Sequence, residues 1–161
     1  MAEVPVVNAS PIIYLARAEE LALLQVLGPE AVVPEPVVRE LLRRGPADPA
    51  AKALAELDWL RALGEGEVPA SLLAWDLGPG ETAVLAWAVG HPSCLAVIDD
   101  RAARRCADVL GVPCIGTLGI VLRAKRLGRI PAARPVVERL RGAGMYLSDR
   151  VLGPALALVG E

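Results

Sequence analysis

The sequence predicts an α/β fold, a sandwich of helices around a small, mostly parallel central sheet. Three observations predict it. Short apolar runs alternate with helical patterns along the whole chain, as βαβ units require. The run Cys94–Ile98 is apolar without alternation, as in a central strand buried on both faces. That run ends in Asp99-Asp100, and a new helix begins with Arg101, Arg104 and Arg105 in its first turns. A length of 161 residues and 54% hydrophobic content fit one domain, residues 1–161, with a sizeable core. Aromatic residues are 3% and Phe is absent, so Leu, Val and Ala fill that core.

Each element follows from its residues. Val4–Val7 is a β-branched strand that ends in Asn8-Ala9-Ser10, and Ser10-Pro11 reads as a helix start with Ser as N-cap. That helix runs to about Ala18, and a second short one spans Glu20–Leu27 before Gly28-Pro29. Ala31–Val33 is the second strand, and the helix Val37–Arg43 carries Glu40 between Val37, Val38, Leu41 and Leu42. This carboxylate either points inward from the strand ends or faces water, with Arg43 or Arg44 as a partner. Asp48 caps a helix over Ala50–Leu57. Trp59–Leu63 reads equally as a short strand or as more helix, and Ala70–Leu77 as a short helix. Pro79-Gly80-Glu81 then opens a helix with a broad apolar surface, broken by His91-Pro92-Ser93. After the acidic pair and its helix, Val112–Ile115 is a strand ended by Gly116-Thr117. Helices follow over Leu118–Leu127, from Pro131 or Ala132 to Leu140 or Arg141, and from a Ser148 cap to Leu158.

Composition narrows the function classes. A net charge of −2 and a pI near 5.5 argue against a broad electrostatic nucleic-acid binder, though not against a local basic patch. No apolar run approaches the roughly 18 residues that span a bilayer, and MAEVPVVNAS lacks the features of a signal peptide. The expected setting is cytoplasmic, with no membrane partner. Cys94, Cys106 and Cys114 have no CxxC spacing and read as reduced, buried thiols. His91 is the single histidine, which excludes a His-rich zinc site.

The polar groups at strand ends and helix starts form a set. Asn8 follows the first strand, Glu40 lies in the helix after the second, Glu81 opens a helix, and Asp99 and Asp100 follow a buried strand. In a parallel sheet the carboxyl ends of the strands share one edge, where open α/β folds bind ligands. Carboxylates gathered there repel unless a cation neutralises them, so the set predicts Mg²⁺ or Mn²⁺. Such a site can activate water and stabilise an in-line phosphodiester displacement. Taken singly, Glu81 would only stabilise its helix terminus and an Asp would only cap the next helix. Arg101, Arg104 and Arg105 either hold phosphates or form a solvated or ion-paired helix face, and Arg123, Lys125, Arg126 and Arg129 form a second basic patch. No aromatic stacking platform is visible, and no GxGxxG or P-loop supports a nucleotide-binding reading.

The segments VVNASPIIYLARAEELALL, AVVPEPVVRELL, GPGETAVLAWA, AVIDDRAARRCADVLGVPCIGTLGIVLRAKRLGRIP and AGMYLSDRVL resemble the PIN domain, specifically prokaryotic PIN-like proteins related to VapC-type toxins. The resemblance implies a three-layer α/β/α sandwich, a divalent-metal endoribonuclease, RNA as substrate, a homodimer, and an antitoxin protein as partner if the chain is a toxin. It places the metal site on Asn8, Glu40, Glu81 and Asp99/Asp100, with Asp100 as the more direct of the pair and Ser10 orienting the first residue or a water. It departs from that family in one respect: PIN nucleases generally carry Asp where this chain has Asn8. An amide oxygen can coordinate a cation but brings no charge. A catalytically weak module for RNA binding or protein association is therefore the alternative. The C-terminal helix face of Val151, Leu152, Ala155, Leu158 and Val159 packs either on a partner or on the core.

Overall fold

The computed structural model describes residues 4–161. Five strands form one sheet: β1 (Val4–Val7), β2 (Ala31–Val33), β3 (Leu60–Ala62), β4 (Cys94–Val97) and β5 (Cys114–Ile115), in the order β3-β2-β1-β4-β5. Every pairing is parallel. The helices flanking the sheet are α1 (Ala9–Arg17), α2 (Glu35–Leu42), α3 (Pro49–Glu56), α4 (Ala70–Leu73), α5 (Pro79–Gly90), α6 (Arg101–Leu110), α7 (Thr117–Arg126), α8 (Arg134–Gly142) and α9 (Asp149–Ala157). Leu21–Val26 is a 3₁₀ helix. The expected α/β/α sandwich is what the chain forms.

The strand order positions the site. The chain builds outward from β1 to β2 and β3, then returns to lay β4 on the other side of β1. The order therefore reverses between β1 and β4, and the carboxyl ends of strands beside such a reversal are where open α/β sheets bind ligands. Val7 stands opposite Val97 in the β1–β4 register. One residue further, the Asn8 N–H donates to the Val97 carbonyl at 3.0 Å, and the Ile98 N–H donates to the Ile115 carbonyl at 3.0 Å. These bonds fix where Asn8 and Asp99 leave the sheet.

The core is the aliphatic one expected, built on Val6, Val7, Ile12, Leu15, Leu41, Leu85 and Ile98, each fully buried. Trp59–Leu63 resolves as strand: β3 pairs with β2 at Ala31↔Leu60 and Val33↔Ala62. The start of α1 differs from the sequence reading. Asn8, in an extended conformation, is the N-cap residue, and Ser10 already lies in the first helical turn. The strand hands directly to the helix because Asn8 is still tied to β4, which leaves no room for a separate capping loop. Asp48 does cap α3, accepting from the Ala50 N–H at 2.9 Å. Ser148 takes the cap position of α9, but its hydroxyl makes no cap bond. On α9, Leu152 and Leu156 are buried in the core while Val151 and Leu158 stay exposed. The three cysteines are free thiols, and burial pushes Cys94 up to about 11.

Candidate metal centre

The residues at the carboxyl edge gather in two places, each built against a glycine. The first lies over Gly80, in the first turn of α5. Asn8, 2% exposed, donates from Nδ2 to Glu81 Oε1 at 3.0 Å. Its Oδ1 is buried and has no hydrogen-bond partner among the described residues. A Cβ on Gly80 would stand 2.8 Å from Asn8 Oδ1, 3.4 Å from Val37 Cγ2 and 3.5 Å from Glu40 Oε2. Only the absence of a side chain lets α5 approach this closely, and Asn8 and Glu40 oxygens face the same point. The other Glu81 oxygen, Oε2, lies against Gly78.

Glu40 reconciles its two readings. The residue is exposed on α2, yet its carboxylate reaches toward Gly80, at the carboxyl edge of the sheet. Neither expected arginine holds it. Arg44 bonds Asp48 at 3.0 Å, and the neighbouring Arg39 bonds Glu65 at 3.0 Å and Glu35 at 3.5 Å. Among the described residues Glu40 has no ion pair or hydrogen bond of its own.

The second place lies over Gly116, between β5 and α7. Asp99 is half-buried, and both its oxygens are engaged: Oδ1 accepts from the Thr117 N–H and Oδ2 from the Thr117 hydroxyl, each at 2.7 Å. A Cβ on Gly116 would stand 3.0 Å from Asp99 Oδ1 and 2.6 Å from Arg104 Nη1. The guanidinium thus lies beside the Asp99 carboxylate without forming an ion pair with it. Their fields meet at Cys114: burial raises that thiol, Arg104 lowers it, and Asp108 and Asp99 raise it.

Asp100 meets a competing demand. It is exposed, and its Oδ2 accepts from the Ala103 N–H at 2.9 Å as the N-cap of α6. Asp99 is the member of the pair turned toward Thr117 and the sheet edge. Arg101, Arg104 and Arg105 are exposed, and among the described residues none has an ion pair or side-chain hydrogen bond. Ser10 is half-buried beside Asn8 in sequence, and its hydroxyl likewise has no hydrogen bond among the described residues. The second basic patch is remote: Lys125 and Arg126 end α7, about 12–14 Å along the helix from Thr117. Lys125 there donates to the Pro131 carbonyl at 2.6 Å.

Three residues of the site were not singled out from sequence: Gly80, Gly116 and Thr117. The signal for Thr117 was present, since Gly-Thr directly after a strand and before a helix repeats the order of Asn8 after β1. The glycines gave no signal, because their role depends on which side chains approach them from other elements.

The donor set is suited to a hard cation, since Asn8, Glu40, Glu81 and Asp99 all offer oxygen. Among the described residues no group of three His, Cys, Asp or Glu side chains is close enough to share one ion. Uncompensated carboxylates are expected to splay in this way, and here Glu81 turns to the Asn8 amide and Asp99 to Thr117. Also among the described residues, no helix is long and apolar enough to cross a membrane.

The family model DUF3368, described as a PIN domain, matches residues 4–161, so the chain belongs to the PIN-domain family. That family points to nuclease-type function, divalent metals in general, and RNA as substrate class. No curated protein matches the chain.

Proposed function

We propose that this member of the PIN-domain family is a divalent-metal-dependent endoribonuclease that uses Mg²⁺ or Mn²⁺ at the carboxyl ends of β1 and β4. One observation carries the reading: a buried acceptor, Asn8 Oδ1, has no donor among the described residues and faces the same point as Glu40 Oε2. A buried acceptor left without a partner costs about 1–3 kcal/mol, which a cation at that point would relieve. Asn8, Glu40, Glu81 and Asp99 are the residues that would hold it, and bound there it would polarise phosphate and lower the pKa of water.

The chain's own residues do the rest. Thr117 orients Asp99 through both oxygens, leaving each with a further lone pair for the site. Glu40, free of cationic partners, is available to accept the proton of an attacking water. Asp100 sets the start of α6 and so aims Arg101, Arg104 and Arg105 along the rim. Their unpaired guanidinium groups suit a phosphate backbone. Ser10 is placed to hold a water beside Asn8. The unit acting is the single domain 1–161, as a cytoplasmic homodimer, and a toxin paired with an antitoxin is the form tested by growth arrest on expression.

The test is cleavage of a mixed, structured RNA pool with Mn²⁺ or Mg²⁺, beside Glu81→Gln and Asp99→Asn. Metal-dependent cleavage that disappears in both variants is the expected result. The Asn8 amide favours a second reading, a weakly catalytic module that binds RNA or protein. Retained RNA binding with no cleavage in any metal would establish that reading and overturn the first.

A further inference from the structure

We infer that Asn8 is a neutral latch, which holds Glu81 in the metal-free site without the repulsion a carboxylate at this position would bring. The inference rests on the metal-centre reading. Asn8 is 2% exposed, and its Nδ2 lies 3.0 Å from Glu81 Oε1. Only one amide orientation serves, because the reverse would set Oδ1 against the carboxylate. An Asp at this position would put two acidic oxygens at hydrogen-bond distance in a part-buried pair, where like charges are costly. The amide instead makes a charge-assisted hydrogen bond of the stronger class. It also fixes where the second amide oxygen points, into the space it shares with Glu40 Oε2 over Gly80.

The latch acts in opposite directions on two properties. It stabilises the metal-free protein, and it weakens cation binding by withholding one charge from the ligand set, since ligand charge tunes affinity for hard cations. Asn8 is thus a positioning residue for Glu81 as well as an oxygen donor.

The experiment compares wild type, Asn8→Asp and the exchange variant Asn8→Asp/Glu81→Gln by thermal unfolding at neutral pH in EDTA, and by calorimetric titration with Mn²⁺. The exchange variant keeps one carboxylate and one amide but moves the donor from residue 8 to residue 81. In EDTA, Asn8→Asp is expected to melt roughly 5 °C below wild type, and the exchange variant to recover most of that loss. With Mn²⁺, Asn8→Asp is expected to bind about tenfold tighter than wild type. An Asn8→Asp protein as stable as wild type in EDTA, or an exchange variant no better than Asn8→Asp, overturns the latch. If Asn8→Asp does not fold in EDTA, recovery by the exchange variant still decides the matter. The EDTA melts contain neither metal nor RNA. The latch therefore stands or falls on them, whereas the nuclease reading stands or falls on cleavage.

Discussion

The two halves of the site are built against glycines in the same way but are left in different electrostatic states. Over Gly116, Asp99 is satisfied within the protein: Thr117 engages both its oxygens, and Arg104 stands beside it. Over Gly80, among the described residues, the buried Asn8 oxygen has no donor and Glu40 has no cation. One half is a finished hydrogen-bonded unit that orients a carboxylate. The other, on the proposed reading, is an oxygen-lined position that takes a positive partner. A metal centre that must be rigid and yet keep affinity for an incoming ion gains from that division, because one half supplies geometry and the other supplies demand.

Substitutions can break or sharpen this contrast. The largest effect is expected from Asp99→Asn, which removes the oriented charge. Cleavage should fall by more than the roughly 100-fold upper range seen for groups that only support ligands. Asp100→Asn keeps the α6 cap, because Asn caps as well as Asp. Its loss should stay within about tenfold, as suits an exposed charge. A reversal of the two effects, measured in one cleavage series, would make Asp100 the direct residue.

Thr117→Val should cost about 10–100-fold in activity or metal affinity, since Asp99 loses the hydroxyl donor that fixes its second oxygen. Gly80→Ala tests the other half. In an exposed helix this change favours folding, but here the new Cβ would meet the buried Asn8 oxygen at 2.8 Å. Denaturant unfolding should show a loss of about 1–3 kcal/mol. Arg104→Ala should leave stability unchanged while weakening RNA binding. The slope of log affinity against log salt should fall by about one for the lost phosphate contact.

A smaller effect is expected at Asp48, the other aspartate that caps a helix. Burial raises its pKa, but the Ala50 N–H and the Arg44 guanidinium outweigh that and hold it below the ordinary carboxylate value. A carboxylate depressed on folding adds stability above its unfolded pKa, and loses it as pH falls through the folded value. Asp48→Ala should therefore cost about 1 kcal/mol at neutral pH and progressively less in acid, measured by unfolding across that range.

The sequence disclosed the fold largely because its punctuation is strong. The unbroken Cys94–Ile98 run, the Gly-Pro breaks and the alternation of strand and helix each follow from local chemistry. The order of strands was less visible, and it is that order which sets Asn8 beside β4. Ser10 was misread as a cap because Ser-Pro is a strong local signal. The long-range bond from Asn8 to Val97 moved the helix start two residues earlier. The acidic residues were read as one set, and the structure divides them between Gly80 and Gly116. The division of Asp99 from Asp100 was not legible, since adjacent carboxylates differ only in what approaches them: Thr117 for one, the α6 terminus for the other. The uncommitted state of Glu40 was likewise not legible: of its two candidate partners Arg44 pairs with Asp48, and Arg43 makes no ion pair among the described residues.

The most direct test is Mn²⁺ binding, followed by calorimetry on the wild type, Glu81→Gln and Asp99→Asn. If both halves close on one cation, wild type binds Mn²⁺ and each variant, altered in opposite halves of the site, loses most of that affinity. Absence of Mn²⁺ binding by folded wild type, or loss in one variant with the other unaffected, would contradict a shared metal centre at this edge of the sheet.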